Sequence, residues 1–134
     1  MYSDSSNLIK KFEKMISDDS SIFLDTDEIE EIILYYFNEG DIMMAEKAVA
    51  LGNNLYPNSI NINILYSEIL ILKGEITESY DLIDDMLSIN KNSQDLLFQK
   101  CKILTKLKKY KESILILKDI PKSDQLSFFV LDLF

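Results

Sequence analysis

Three groups of side chains in this chain carry chemistry that acts outward. The first is the carboxylate cluster Asp25, Asp27, Glu28, Glu30 and Glu31. Carboxylates at this density attract divalent cations, but a calcium loop alternates its oxygen ligands around a central glycine. This segment has neither the alternation nor the glycine. It reads as the solvated first turn of a helix, where carboxylates meet the positive end of the helix dipole, and Asp81, Asp84 and Asp85 read the same way. The second group is a run of six lysines, Lys100, Lys102, Lys106, Lys108, Lys109 and Lys111. Such a run suits a phosphate or an acidic partner, and it equally suits the polar face of a helix running into an exposed turn. Head-to-tail contact with the acidic half of another copy is a third use. The last is Cys101, the only cysteine. It has no histidine to activate it, so it is expected to be a packed core thiol.

What is missing narrows the chemistry further. Without histidine the commonest general base and the commonest metal ligand are both lost. A single cysteine excludes an intrachain disulfide and a cysteine-based zinc site. Every basic residue is lysine, so the bidentate guanidinium grip on phosphate or guanine is absent. No nucleophile–base pair can be assembled with any specificity from these residue types. The expectation is no enzyme, no cofactor and no metal. A net charge of −9 and a pI near 4.4 argue against nucleic acid and anionic membranes as partners. Residues 1–67 hold 4 lysines against 12 carboxylates, a charge of −8, while residues 68–134 hold 10 against 11, a charge of −1. No apolar stretch is long enough to span a bilayer. The opening Met1-Tyr2-Ser3-Asp4-Ser5-Ser6 lacks the basic and apolar regions of a secretory signal, so a cytoplasmic location is expected.

The elements that must position these groups are helices. The chain of 134 residues fits one compact domain, and 3 Gly and 2 Pro leave little turn punctuation for a sheet. Leu8, Ile9, Phe12, Met15 and Ile16 have the spacing of one helix face, capped by Ser5 or Ser6 and broken over 17–21. Ile22-Phe23-Leu24 reads as a short extended run into a cap at Asp25 or Thr26. Helices are then predicted over 26–38, 41–54, 60–72, 75–88, 93–106, 109–119 and 124–134. Gly40 and Gly74 end two of them, and Pro57 and Pro121 open new turns. Short loops make consecutive helices antiparallel neighbours.

A 34-residue period organises these helices. Gly40 aligns with Gly74 and Lys108, Ile42 with Ile76 and Tyr110, and Ala45 with Ser79 and Ser113. Ile33 aligns with Ser67 and Cys101, Tyr36 with Leu70 and Leu104, and Val49 with Ile83 and Leu117. The Asn58-Ser59 cap returns as Asn92-Ser93. A small residue at Ala45, Ser79 and Ser113 lets two helices approach closely, and a large apolar one at Ile42, Ile76 and Tyr110 fills the gap beside the turn. Each helix pair leaves one apolar face for the next pair to bury.

The segments Gly40-Asp41-Ile42-Met43-Met44-Ala45 and Leu55-Tyr56-Pro57-Asn58-Ser59 resemble the turn and the closing signature of the tetratricopeptide-repeat family. Departures are the absent Trp, Gly52 where alanine is usual, Lys108 in place of the turn glycine, and an early Pro121. The resemblance implies an all-α fold, a right-handed α-solenoid of antiparallel helix pairs. Its parts would be an N-terminal capping helix (1–21) and a repeat domain (22–134) with repeats 26–59, 60–93 and 94–127 and a partial fourth, 123–134. It also implies a protein-binding scaffold whose concave groove is lined by the first helix of each repeat. Here that groove would carry Asp27, Glu30, Leu34 and Phe37, then Ile64, Glu68 and Ile71, then Phe98 and Lys102, with Phe37, Ile64 and Phe98 as anchors. The ligand would be an extended or helical segment with apolar anchors and basic residues to meet Asp27, Glu30 and Glu68. A groove filled by the chain itself, for instance by its N-terminal helix, is the competing expectation. Members that grip a terminal carboxylate do so with Lys, Asn and Arg, and in the matching slots Glu30, Leu34, Ile64, Glu68, Phe98 and Lys102 only Lys102 fits. The apolar last segment, with Phe128, Phe129, Leu133 and Phe134, lacks the polar outer face of a cap. It offers a route to self-association, or marks the N-terminal part of a longer repeat protein.

Overall fold

The computed structural model of the chain describes residues 2–120, with side chains from Ser6 onward. These residues form seven helices and no strand: α1 (Tyr2–Asp18), α2 (Thr26–Asn38), α3 (Ile42–Leu55), α4 (Ile60–Leu72), α5 (Ile76–Ile89), α6 (Gln94–Lys106) and α7 (Tyr110–Lys118). The expected helix over 124–134, with Phe128, Phe129, Leu133 and Phe134, lies outside the described residues.

The period is visible in the backbone itself. α2, α4 and α6 start 34 residues apart, and so do α3, α5 and α7. The turns inside the pairs repeat bond for bond. Gly40 N–H donates to the Phe37 carbonyl and Asp41 N–H to that of Tyr36; Gly74 and Glu75 do the same to Ile71 and Leu70, and Lys108 and Lys109 to Thr105 and Leu104. This pattern needs a left-handed residue just past the helix end. Gly40 and Gly74 supply it at φ +76° and +83°, and Lys108 adopts it at φ +63° despite its side chain. The departure at position 108 therefore changes the residue and not the turn. The breaks between pairs repeat too: Ser59 Oγ accepts from Ile62 N–H and Ser93 Oγ from Leu96 N–H, each at 3.3 Å.

α1 is longer than its apolar stripe. It continues through Ser5 and Ser6, which were expected to cap it, and past Ser17 to Asp18. Periodicity marks only the buried part of a helix, and polar flanks extend it into solvent. Asp19 ends it at φ +51°, with Ser20 N–H returning to the Met15 carbonyl. Tyr110 is the other exception. Ile42 and Ile76 are half-buried beside their turns, whereas Tyr110 is exposed and fills no gap.

The chain divides into two compact units, Met1–Ile69 and Leu70–Phe134. In the first, α1 packs on α2 and α2 on α3, around Phe12, Leu24, Ile29, Ile32, Ile33, Tyr36, Ala45, Val49, Ile62 and Ile69. Tyr56 donates to the Leu24 carbonyl at 2.8 Å and pins the extended segment to the end of α3. At Gly52 an added Cβ would lie 2.9 Å from Ile29 Cγ2 and 3.1 Å from Ile62 Cγ2. A side chain at this position would force the two isoleucines to shift. In the second unit α6 packs on α5 and α7, burying Ile83, Met86, Leu96, Cys101, Ile103 and Leu104.

Two substitutions test these constraints by urea unfolding. Lys108→Gly should stabilise the chain by about 0.5–1 kcal/mol, because relief of the left-handed penalty exceeds the added chain entropy of glycine. Gly52→Ala should cost about 1–3 kcal/mol through overpacking against Ile29 and Ile62. A neutral result at Gly52 would show that the two isoleucines yield without strain.

Candidate functional site

The acidic cluster is first of all a helix start. Asp25 Oδ1 accepts from Glu28 N–H at 2.8 Å, and Glu28 Oε1 accepts from Asp25 N–H at 3.1 Å. This reciprocal capping box satisfies two orphan donors and occupies two of the five carboxylates. Among the described residues no three Asp, Glu or Cys side chains converge as a metal site would require.

The remaining residues of α2 fall into three sectors at about 100° per residue. Ile29, Ile32, Ile33 and Tyr36 point into the core and are buried. Glu28, Glu31, Tyr35 and Asn38 face α1 and line its two flanking clefts. Asp27, Glu30, Leu34 and Phe37 form the third sector, and none of them lines either cleft. α1 is held away from that sector by its own contacts: Tyr36 donates to Glu13 Oε2 at 2.9 Å, and the rings of Phe12 and Tyr36 meet at 6.0 Å. Burial and the Glu13 acceptor push the Tyr36 phenol pKa far up, so it stays a donor.

Within the third sector Leu34 is 44% exposed and Asp27 is exposed, while Phe37 is half-buried and packs against the first core. Ile64 and Glu68 on α4 are half-buried. Asn61 on α4 lies near enough to Glu30 to influence its proton affinity. Burial and the nearby Asp27 charge raise the Glu30 pKa above the usual carboxylate value, against the lowering by Asn61. Sequence reasoning missed Asn61, although it occupies the register position of Asp27 one period on. Ile71, Phe98 and Lys102 are half-buried in the second unit.

The lysine run does not act as one patch. Lys100 turns back to α5, 2.8 Å from Asp84 Oδ1 and 5.4 Å over the Tyr80 ring. Burial alone lowers its pKa, but Asp84 and Tyr80 outweigh this and leave it raised. Lys102 is half-buried, and only Lys106, Lys108, Lys109 and Lys111 stand out into solvent. Cys101 is fully buried, its thiol donating to the Ser113 carbonyl at 3.6 Å, and burial pushes its pKa up. A raised thiol pKa reduces the reactive thiolate.

The third sector presents two carboxylates, an exposed leucine and a half-buried ring on one stretch of helix. It also predicts a pH dependence. Glu30 binds its proton more tightly in the folded chain than in the unfolded one, so its favourable contribution is complete in acid and is lost as pH rises through its folded value. Glu30→Gln should therefore raise the thermal midpoint at about pH 7 and leave it unchanged at about pH 3.5. An equal shift at both would show that the carboxyl is not strained. Compared with known proteins, the chain matches no family model and no curated relative.

Proposed function

We propose that this chain is a tetratricopeptide-type α-solenoid scaffold that binds a segment of another protein along the first helices of its repeats. The observation carrying this reading is the sector Asp27–Glu30–Leu34–Phe37, which α1 leaves clear while covering the neighbouring sector of α2. The 34-residue recurrence of helix starts, left-handed turns and serine caps supports the repeat assignment.

The ligand in this reading is an extended or helical segment with apolar anchors and basic residues. A lysine or arginine set against Glu30 compensates a carboxylate whose ionised form is disfavoured. Leu34 gives the segment an apolar foothold, and Ile64 and Glu68 on α4 extend it within the first unit. The chain acts by binding and not by catalysis. It has no histidine or arginine, and its one thiol is packed away from solvent. No helix of the described residues is long and apolar enough to cross a membrane.

The test is affinity capture with mass spectrometry, comparing the native chain with the double variant Asp27→Lys, Leu34→Glu. Both sites are exposed, so helicity by circular dichroism should be unchanged while the captured partner is lost. Phe37 is unsuitable because it also supports the core. Equal recovery of the same partner by both proteins would sink the binding-face assignment.

A further inference from the structure

The outward face of α7 breaks the polar pattern of its counterparts. Tyr110, Ile114 and Leu115 are 54%, 52% and 62% exposed. One and two periods earlier, the positions of Ile114 and Leu115 hold Tyr80 and Asp81, then Glu46 and Lys47. On α7 alone both are aliphatic. At about 100° per residue they share a sector with Tyr110, Lys111 and Lys118. Lys106, Lys108 and Lys109 stand at the same corner, exposed, and among the described residues Lys106, Lys108, Lys109 and Lys111 have no ion pair. The corner therefore combines an apolar centre with a cationic rim, the composition of a protein docking surface.

The complementary surface is in the first unit. The larger cleft between α1 and α2 has a volume of about 680 Å³, with Ile9 and Tyr35 for apolar lining and Glu13, Glu31 and Glu39 for charge against the single Lys10. It belongs to the half of the chain that carries −8.

We propose that the α6–α7 corner of one copy docks onto the acidic α1–α2 cleft of a second copy. Ile114 and Leu115 enter the cleft against Ile9 and Tyr35, and Lys108, Lys109 and Lys111 meet Glu31 and Glu39. The contact is heterologous, since the two surfaces differ, and so it builds head-to-tail assemblies. It uses none of the residues of the proposed binding face, and the two ideas fail separately.

Sedimentation velocity tests it. At about 0.02 M salt the average mass should at least double as protein concentration rises, and at about 0.5 M it should return to that of the monomer, because the rim charges are screened. The variants Lys108→Glu, Lys111→Glu and Glu31→Lys, Glu39→Lys should each be monomeric alone and associate when mixed, since each supplies the charge that the other has reversed. Ile114→Asp, Leu115→Asp should be folded and monomeric. A native chain that stays monomeric at low salt overturns the proposal, even if the same corner takes up an acidic peptide. So does association that persists in Ile114→Asp, Leu115→Asp, which would place the contact elsewhere, for instance on residues 124–134.

Discussion

Each helix pair in this chain hangs on a single residue that holds a left-handed backbone between its two helices. Gly40, Gly74 and Lys108 stand at that point. The two hydrogen bonds around each of them close the first helix of the pair. Ala45, Ser79 and Ser113 all come to lie in the interior, where a small residue lets two helices approach. In the last pair the closeness is visible as bonds, with the Ser113 hydroxyl donating to the Cys101 carbonyl and the Cys101 thiol to that of Ser113. Glycine takes the left-handed conformation freely and lysine does not, yet the geometry is the same at all three sites. The tertiary packing around α6 and α7 is thus strong enough to impose the turn on an unfavourable residue.

Packing within the first unit then decides what α2 can do. A helix has one circumference to divide among its neighbours. The core takes the sector of Ile29, Ile32, Ile33 and Tyr36, and α1 takes the sector of Glu31 and Tyr35, held by Phe12 and by the Tyr36–Glu13 hydrogen bond. The carboxylates and the leucine left over are not arranged by any bond among themselves. They are what remains when the demands of folding have been met. Charge follows the same logic. Asp25 and Glu28 are consumed in capping α2, and Lys100 in pairing with Asp84, so the groups that face outward are fewer than a count of charges implies.

Much of this was legible in the sequence, and for physical reasons. Helix bounds, the serine caps, the glycine turns and the buried series Ile33–Ser67–Cys101 and Tyr36–Leu70–Leu104 depend on local backbone chemistry and on apolar spacing, both of which a sequence displays directly. The 34-residue period multiplies that signal by repeating it. The misjudged points are those where the local signal is weak: the polar ends of α1, which continue a helix without any apolar mark, and Tyr110, whose counterparts Ile42 and Ile76 are covered while it is not.

The sequence by itself determined the helical elements and their register, because these are properties of neighbours along the chain. Only the tertiary structure decided which lysines are drawn into pairs, why Gly52 has no room for a methyl group, and which sector of α2 α1 leaves clear. Those outcomes depend on partners that are remote in sequence, such as Glu13 for Tyr36 or Ile62 for Gly52. A helical period specifies that a face will be buried; the identity of what buries it is set by the three-dimensional arrangement of the other helices.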